Sequence, residues 1–135
     1  MPNYWILKTE PTTYSLADLA RDGRTRWDGV TNPVALKNLR AMAENDQVMI
    51  YHTGDEKSVV GLARVIGAPY ADPKNAKLAV VDLEYREQLP KAVSLAQIKA
   101  DPAFADLALV RQGRLSVVVV PADLWKRLLR MGGIG

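Results

Sequence analysis

A short apolar and aromatic run, Tyr4 to Lys8, predicts a strand, and Glu10-Pro11 stops it because the residue before proline disfavours helix. Ser15-Leu16-Ala17-Asp18 has the form of a capping box and predicts a short helix ending by Gly23. Arg24 to Thr31 reads as a polar loop that holds Trp27-Asp28-Gly29. Asn32-Pro33 reads as a helix cap with proline in the first turn, and Leu36, Leu39 and Ala43 mark the apolar face that follows. Asn45-Asp46 ends that helix.

The middle of the chain switches to a period of two. Gln47 to His52 alternates as a strand, Thr53 to Lys57 turns, and Ser58 to Ala68 reads as the next strand, with Gly61 and Gly67 as bulge positions. Pro69 to Lys77 reads as a loop, and Leu78 to Arg86 as a further strand that Pro90 prevents from continuing. Ser94-Leu95-Ala96-Gln97 caps a short helix, and Ala103 to Leu109 forms another helical turn after Asp101-Pro102. Leu115 to Val120 is a strong strand signal. Pro121 then opens a last helix, with Leu124 and Leu128 on one row and Trp125 and Leu129 on the next. This order has no β-α-β-α rhythm, so the pattern predicts an α+β fold: a small, mostly antiparallel barrel decorated with short helices. The 135 residues show no internal repeat or linker and read as one domain, residues 1–135.

Composition narrows the chemistry. Hydrophobic residues make up 48% and charged residues 24%, ordinary values for a folded protein. There is no cysteine, which excludes a disulfide scaffold, a thiolate zinc site and a cysteine nucleophile. The single histidine, His52, excludes a histidine-based metal site. No phosphate loop, dinucleotide fingerprint or nucleophile elbow is present, and Asp28, Asp55, Glu56 and Asp82 lack calcium-loop spacing. No metal or cofactor is expected. No apolar run approaches the ~20 residues of a membrane helix, and Met1 to Trp5 lacks a basic targeting start, so a cytoplasmic protein without membrane contact is expected.

Charge is unevenly spread. Residues 1–40 carry six basic and four acidic groups, residues 41–106 seven and ten, and residues 107–135 five and one, within an overall +3. If the two basic ends meet in the fold they form one positive face that attracts phosphates; a solvated surface is the other reading. Arg24, Arg26 and Arg111 are candidate phosphate contacts.

Trp5 and Trp125 sit in apolar runs and read as core. Trp27 stands in a polar stretch, where its ring needs either a covering element or a ligand; aromatic faces stack on nucleobases, and both readings stand. Tyr51 and His52 are neighbours on one strand, so they share a pocket only if the pleat breaks there. Lys8 and Thr9 end the first strand, and Arg114 and Ser116 share parity on the last.

Those residues carry a resemblance. Tyr4-Trp5-Ile6-Leu7-Lys8-Thr9-Glu10-Pro11 resembles the YWLLKSEP opening of the EVE domain family, and Trp27-Asp28-Gly29-Val30-Thr31-Asn32 its WDGVRN loop. Asn38-Leu39-Arg40-Ala41-Met42, Asp46, Tyr51-His52-Thr53 and Arg114-Leu115-Ser116-Val117 are similar to its later motifs, in the same order. The resemblance implies a PUA-like fold and a non-catalytic pocket for a modified nucleobase, in DNA or RNA. It makes Trp27 a stacking wall, Asn32 or the Gly29–Val30 backbone an edge reader, and Tyr51 or His52, beside Thr53, another wall. Lys8 and Thr9 stand at the mouth, and Arg114 and Ser116 approach the base or its phosphate. Thr31 and Pro33 replace the family's arginine and aromatic, and Thr9 and Thr53 replace serines, which bears on the preferred base. The expected partner is a nucleic acid carrying a modified base, bound by a monomer. A small enzyme acting on a nucleotide, or a protein-interaction module using the same cleft, are the alternatives.

Overall fold

The computed structural model describes residues 3–135. The strands are β1 (Tyr4–Thr9), β2 (Arg24–Trp27), β3 (Gln47–His52), β4 (Ser58–Val65), β5 (Tyr70–Asp72), β6 (Asn75–Ser94) and β7 (Val117–Val119). The helices are α1 (Leu16–Asp22), α2 (Pro33–Arg40), α3 (Leu95–Ala100), α4 (Ala108–Arg111) and α5 (Ala122–Met131), with a 3₁₀ turn at Pro102–Phe104. All seven strands form one sheet in the order β2-β6-β4-β3-β1-β7, with β5 added on β6. β1 runs parallel to β3, and every other pairing is antiparallel.

The α+β class holds, but the sheet does not close into the expected barrel. β2 and β7 are its two ends and do not pair. Both are short, and the outer edge of β7 is already engaged: Asn38 of α2 donates its side-chain amide to the Val117 carbonyl at 2.8 Å. A helix side chain thus occupies an edge that would otherwise recruit another strand.

Three of the helix starts follow from local chemistry. Ser15 and Ser94 each accept from the backbone N–H three residues on, while Asp18 and Gln97 reach back to the cap N–H. Asn32 accepts from the N–H groups of Val34 and Ala35 at 2.9 and 3.1 Å. The third position of the apolar face, after Leu36 and Leu39, is not Ala43, which lies past the end of α2 and is exposed; Met42 is buried instead.

Elsewhere the pattern misled. Arg24–Trp27 is a strand, because Thr25 and Trp27 turn inward while Arg24 and Arg26 stay exposed. Pro69 to Lys77 contains β5 and the start of β6 as a hairpin, and Gly67 lies beyond β4 rather than in a bulge. The stretch 103–109 divides into the 3₁₀ turn and the start of α4. β6 also continues past Pro90. Gly61 pairs with Gln88 and Val59 with Val93, so four residues including Pro90 loop out where the ladder needs no donor.

Gly61 is where the expected bulge does occur, and its missing side chain makes room for α1. A Cβ there would lie within 2.6 Å of Leu16 Cδ1 and 3.0 Å of the Glu87 carbonyl oxygen. Gly61→Ala is therefore expected to destabilise by about 1–3 kcal/mol through overpacking. Urea unfolding measures this, and an unchanged midpoint would show that α1 shifts freely.

Candidate functional site

β2, at one end of the open sheet, and β1, next to the other end, border a common cleft of about 560 Å³. One side comes from the end of β1, Lys8 and Thr9, together with Ser116 just before β7. The other side is β2 and the chain leaving it, Thr25 to Val30. Glu10, Thr13 and Tyr14, from the turn between β1 and α1, complete the wall. The cleft is therefore the seam of a curled sheet that stops short of closure. A second depression of about 500 Å³, bordered by Gln97, Asp101, Arg127 and Arg130, is more open, and its Arg127 is bound to Asp101 at 2.7 Å.

Trp27 unites the two readings left open by the sequence. It is 8% exposed and belongs to the core, yet it also borders the cleft. Its indole N–H has no acceptor among the described residues. No buried side-chain nitrogen or oxygen there lacks a partner, so this N–H reaches solvent. The indole thus keeps a donor free for a partner outside the described residues. Tyr14 meets it edge-on at 6.3 Å between ring centroids and offers a half-exposed second ring.

The polar groups around the rings differ in how firmly they are held. Thr9 donates its hydroxyl to the Tyr14 carbonyl at 2.7 Å, which pins the turn to the strand end. Glu10 accepts from the Thr12 and Thr53 hydroxyls, both at 3.3 Å. Lys8 donates to the Gly113 carbonyl at 2.9 Å, and burial lowers its pKa below the usual lysine value. Tyr14 donates to Asp22 at 2.8 Å; burial, with the nearby Asp22 carboxylate also contributing, raises the phenol. Arg26 donates to the Tyr70 hydroxyl at 3.2 Å, and that bond raises the guanidinium. Asp28 forms no hydrogen bond or ion pair among the described residues. Gly29 follows with φ 78°, the left-handed turn that releases the chain from β2 into the cleft wall.

Of the residues singled out in the sequence, Lys8, Thr9, Arg26, Trp27, Gly29, Val30 and Ser116 line the cleft. The others lie elsewhere, for local reasons. The pleat does break between Ile50 and Tyr51, and both following side chains are buried, but neither walls the cleft. Tyr51 and Thr53 border a separate groove beyond Lys8. His52 accepts from the Leu16 N–H through Nε2 at 3.0 Å, so its proton sits on Nδ1, facing Glu56 Oε2 at 3.0 Å. It braces the start of α1. Asn32 is occupied as the cap of α2 and, with Arg114, borders a shallow depression of about 290 Å³. Arg24 pairs with Glu84 at 3.2 Å and Arg111 with Asp106 at 2.9 Å, so both guanidinia are engaged within the chain.

Glu10, Thr13, Tyr14, Thr25 and Asp28 line the cleft without having been singled out for it. Thr25 and Asp28 flank Trp27 on the missed strand and its exit, so the Arg-Thr-Arg-Trp alternation was the signal. Tyr14 stands next to the Ser15 cap, and nothing local marks it as a wall.

Comparison with known proteins agrees with this architecture. Rat thymocyte nuclear protein 1 is 28% identical, over 73% of this chain and 56% of that protein, so the chain spans little more than half the length of this relative. A solved protein from Rhodopseudomonas palustris is 38% identical with a TM-score of 0.92, covering 97% of this chain and 93% of that one. The human THYN1 protein, solved in complex with 5-methylcytosine-containing DNA, shares the fold at a TM-score of 0.89 and 22% identity, over 98% of this chain and 99% of that one. The EVE domain matches residues 3–131, nearly the whole sequence, and the chain belongs to the EVE domain family.

Proposed function

We propose that this protein binds nucleic acid without catalysis and receives a single modified base, turned out of its strand, in the seam cleft. The observation that carries this reading is a cleft of about 560 Å³ lined both by Trp27, whose indole N–H has no acceptor among the described residues, and by Asp28, whose carboxylate has no partner among them. That volume falls in the range of small-molecule pockets, roughly 300–1,000 Å³. A donor and an acceptor on residues that line one cleft suit the edge of a heterocycle, and Tyr14 supplies an aromatic surface. The human family member bound to 5-methylcytosine DNA supports a modified pyrimidine as the class of base.

Extruding a base costs a few kcal/mol, and a buried methyl group returns only about 0.8 kcal/mol. Discrimination by the methyl alone is therefore about fourfold. Fluorescence anisotropy with labelled DNA and RNA strands of about twelve nucleotides, identical except for one cytosine or modified cytosine, tests the reading. The expected result is tighter binding of a modified strand, with every strand recovered chemically unchanged. Equal affinity across the panel, or no binding, would overturn it.

A further inference from the structure

Beyond Lys8, on the side away from the cleft, lies a groove of about 190 Å³. Three lysines border it: Lys8 from β1, Lys57 from the turn before β4, and Lys99 from α3. Leu95, Leu109, Val110 and Tyr51 supply its apolar lining, with Lys8 Nζ standing 5.5 Å over the Tyr51 ring. No carboxylate lines it, and among the described residues none of the three lysines forms an ion pair. By contrast Arg21, Arg24, Arg64, Arg111 and Arg127 are each bound to an acid. Of the carboxylates close in the chain, Asp55 is exposed and lies outside the groove lining, and the others are engaged. Glu10, which packs against Gly54, is held by Thr12 and Thr53, and Glu56 by His52.

From the convergence of Lys8, Lys57 and Lys99 on one groove that shares Lys8 with the base cleft, we infer that the groove binds the phosphodiester backbone of the nucleic-acid strand. The inference rests on the base-cleft reading for the path of the strand. Its occupant follows from charge: three lysines that form no ion pair among the described residues, around a space lined by no carboxylate and too small for a whole nucleotide, fit a phosphate group. Because Lys8 lines both spaces, a base in the cleft leaves its neighbouring phosphate to cross that side chain into the groove. Lys57 adopts φ 42°, a left-handed conformation that costs energy for a residue with a side chain, and it places this lysine at the groove.

The test uses strands of about twelve nucleotides in three forms: fully abasic, unmodified, and carrying 5-methylcytosine. Affinity is measured over a range of salt for the natural protein, for Lys57→Gln/Lys99→Gln, and for the control pair Lys74→Gln/Lys77→Gln on the β5–β6 hairpin. All four lysines are exposed, so folding is retained. The groove pair is expected to weaken abasic and base-bearing strands alike by about tenfold and to flatten the single-strand salt slope by about 1.4, two contacts' worth. The control pair is expected to leave both within twofold. An abasic strand that fails to bind the natural protein overturns the inference, as does equal loss in the two pairs. So does inorganic phosphate competing as strongly as the strand, which would make the groove a site for free phosphate. A 5-methylcytosine strand no tighter than the abasic one, with the groove-pair loss intact, would sink the base reading and leave the groove standing.

Discussion

Replacing Asp46 with alanine is expected to lower the folding free energy by about 3–5 kcal/mol, measured as the shift of the urea midpoint. Asp46 is 2% exposed and lies just before β3. Its Oδ2 accepts from the Trp5 indole N–H at 2.9 Å and from the Ala43 N–H at 3.0 Å, while Oδ1 accepts from the Asn3 N–H at 2.9 Å. The carboxylate thus joins the start of β1, the end of the α2 region and the start of β3. Alanine leaves a buried indole donor and two backbone donors without an acceptor, each costing about 1–3 kcal/mol if water cannot reach it. Asp46→Asn keeps one oxygen for Trp5 and Ala43 and turns an amide against Asn3, so its cost is smaller, about 1–2 kcal/mol. Trp5→Phe separates the contributions: with its donor gone, Asp46→Ala costs measurably less than in the natural protein. An Asp46→Ala midpoint within experimental error of the natural one would show that this junction is dispensable.

Asp46 also shows which features a sequence exposes and which it hides. Caps are local, so Ser15, Asn32 and Ser94 could be read from neighbours three residues away. The strands with a continuous apolar face, β1, β3 and β4, were equally legible. β2 was not, because its two arginines point outward and give a tetrapeptide the composition of a loop. Pro90 misled because a proline inside a looped-out bulge looks the same in sequence as one that ends a strand. The candidate site was half legible. Lys8, Thr9, Trp27 and Ser116 are far apart in the chain, and only the sheet order decides that β1 and β2 confront each other across a seam. The same order carries Tyr51 to the far side of Lys8 and turns His52 against α1. Two of the three arginines read as phosphate contacts, Arg24 and Arg111, illustrate a further limit: charge is visible in sequence, but whether it is already paired with Glu84 or Asp106 is not.

Trp27 joins stability and binding, and two substitutions separate them. Trp27→Ala is expected to cost about 3–5 kcal/mol, since the ring is nine-tenths buried against the core. That is a large share of the 5–15 kcal/mol typical of a domain, so lost binding in this variant would not by itself identify a binding residue. Trp27→Phe keeps an aromatic ring in the same place and costs about 1–2 kcal/mol for the missing atoms. It also removes the indole N–H, the donor that has no partner among the described residues. A hydrogen bond made only in the complex contributes about 0.5–1.5 kcal/mol, so the phenylalanine variant should bind a modified strand about three- to tenfold more weakly while unfolding cooperatively. The loss should be the same for the free modified nucleoside, because the donor faces the base and not the backbone. Lys57→Gln/Lys99→Gln should show the opposite selectivity, weakening strands and sparing the nucleoside. If Trp27→Phe binds the nucleoside as the natural protein does, the indole edge makes no contact with the base, and Trp27 serves the cleft only as part of its wall.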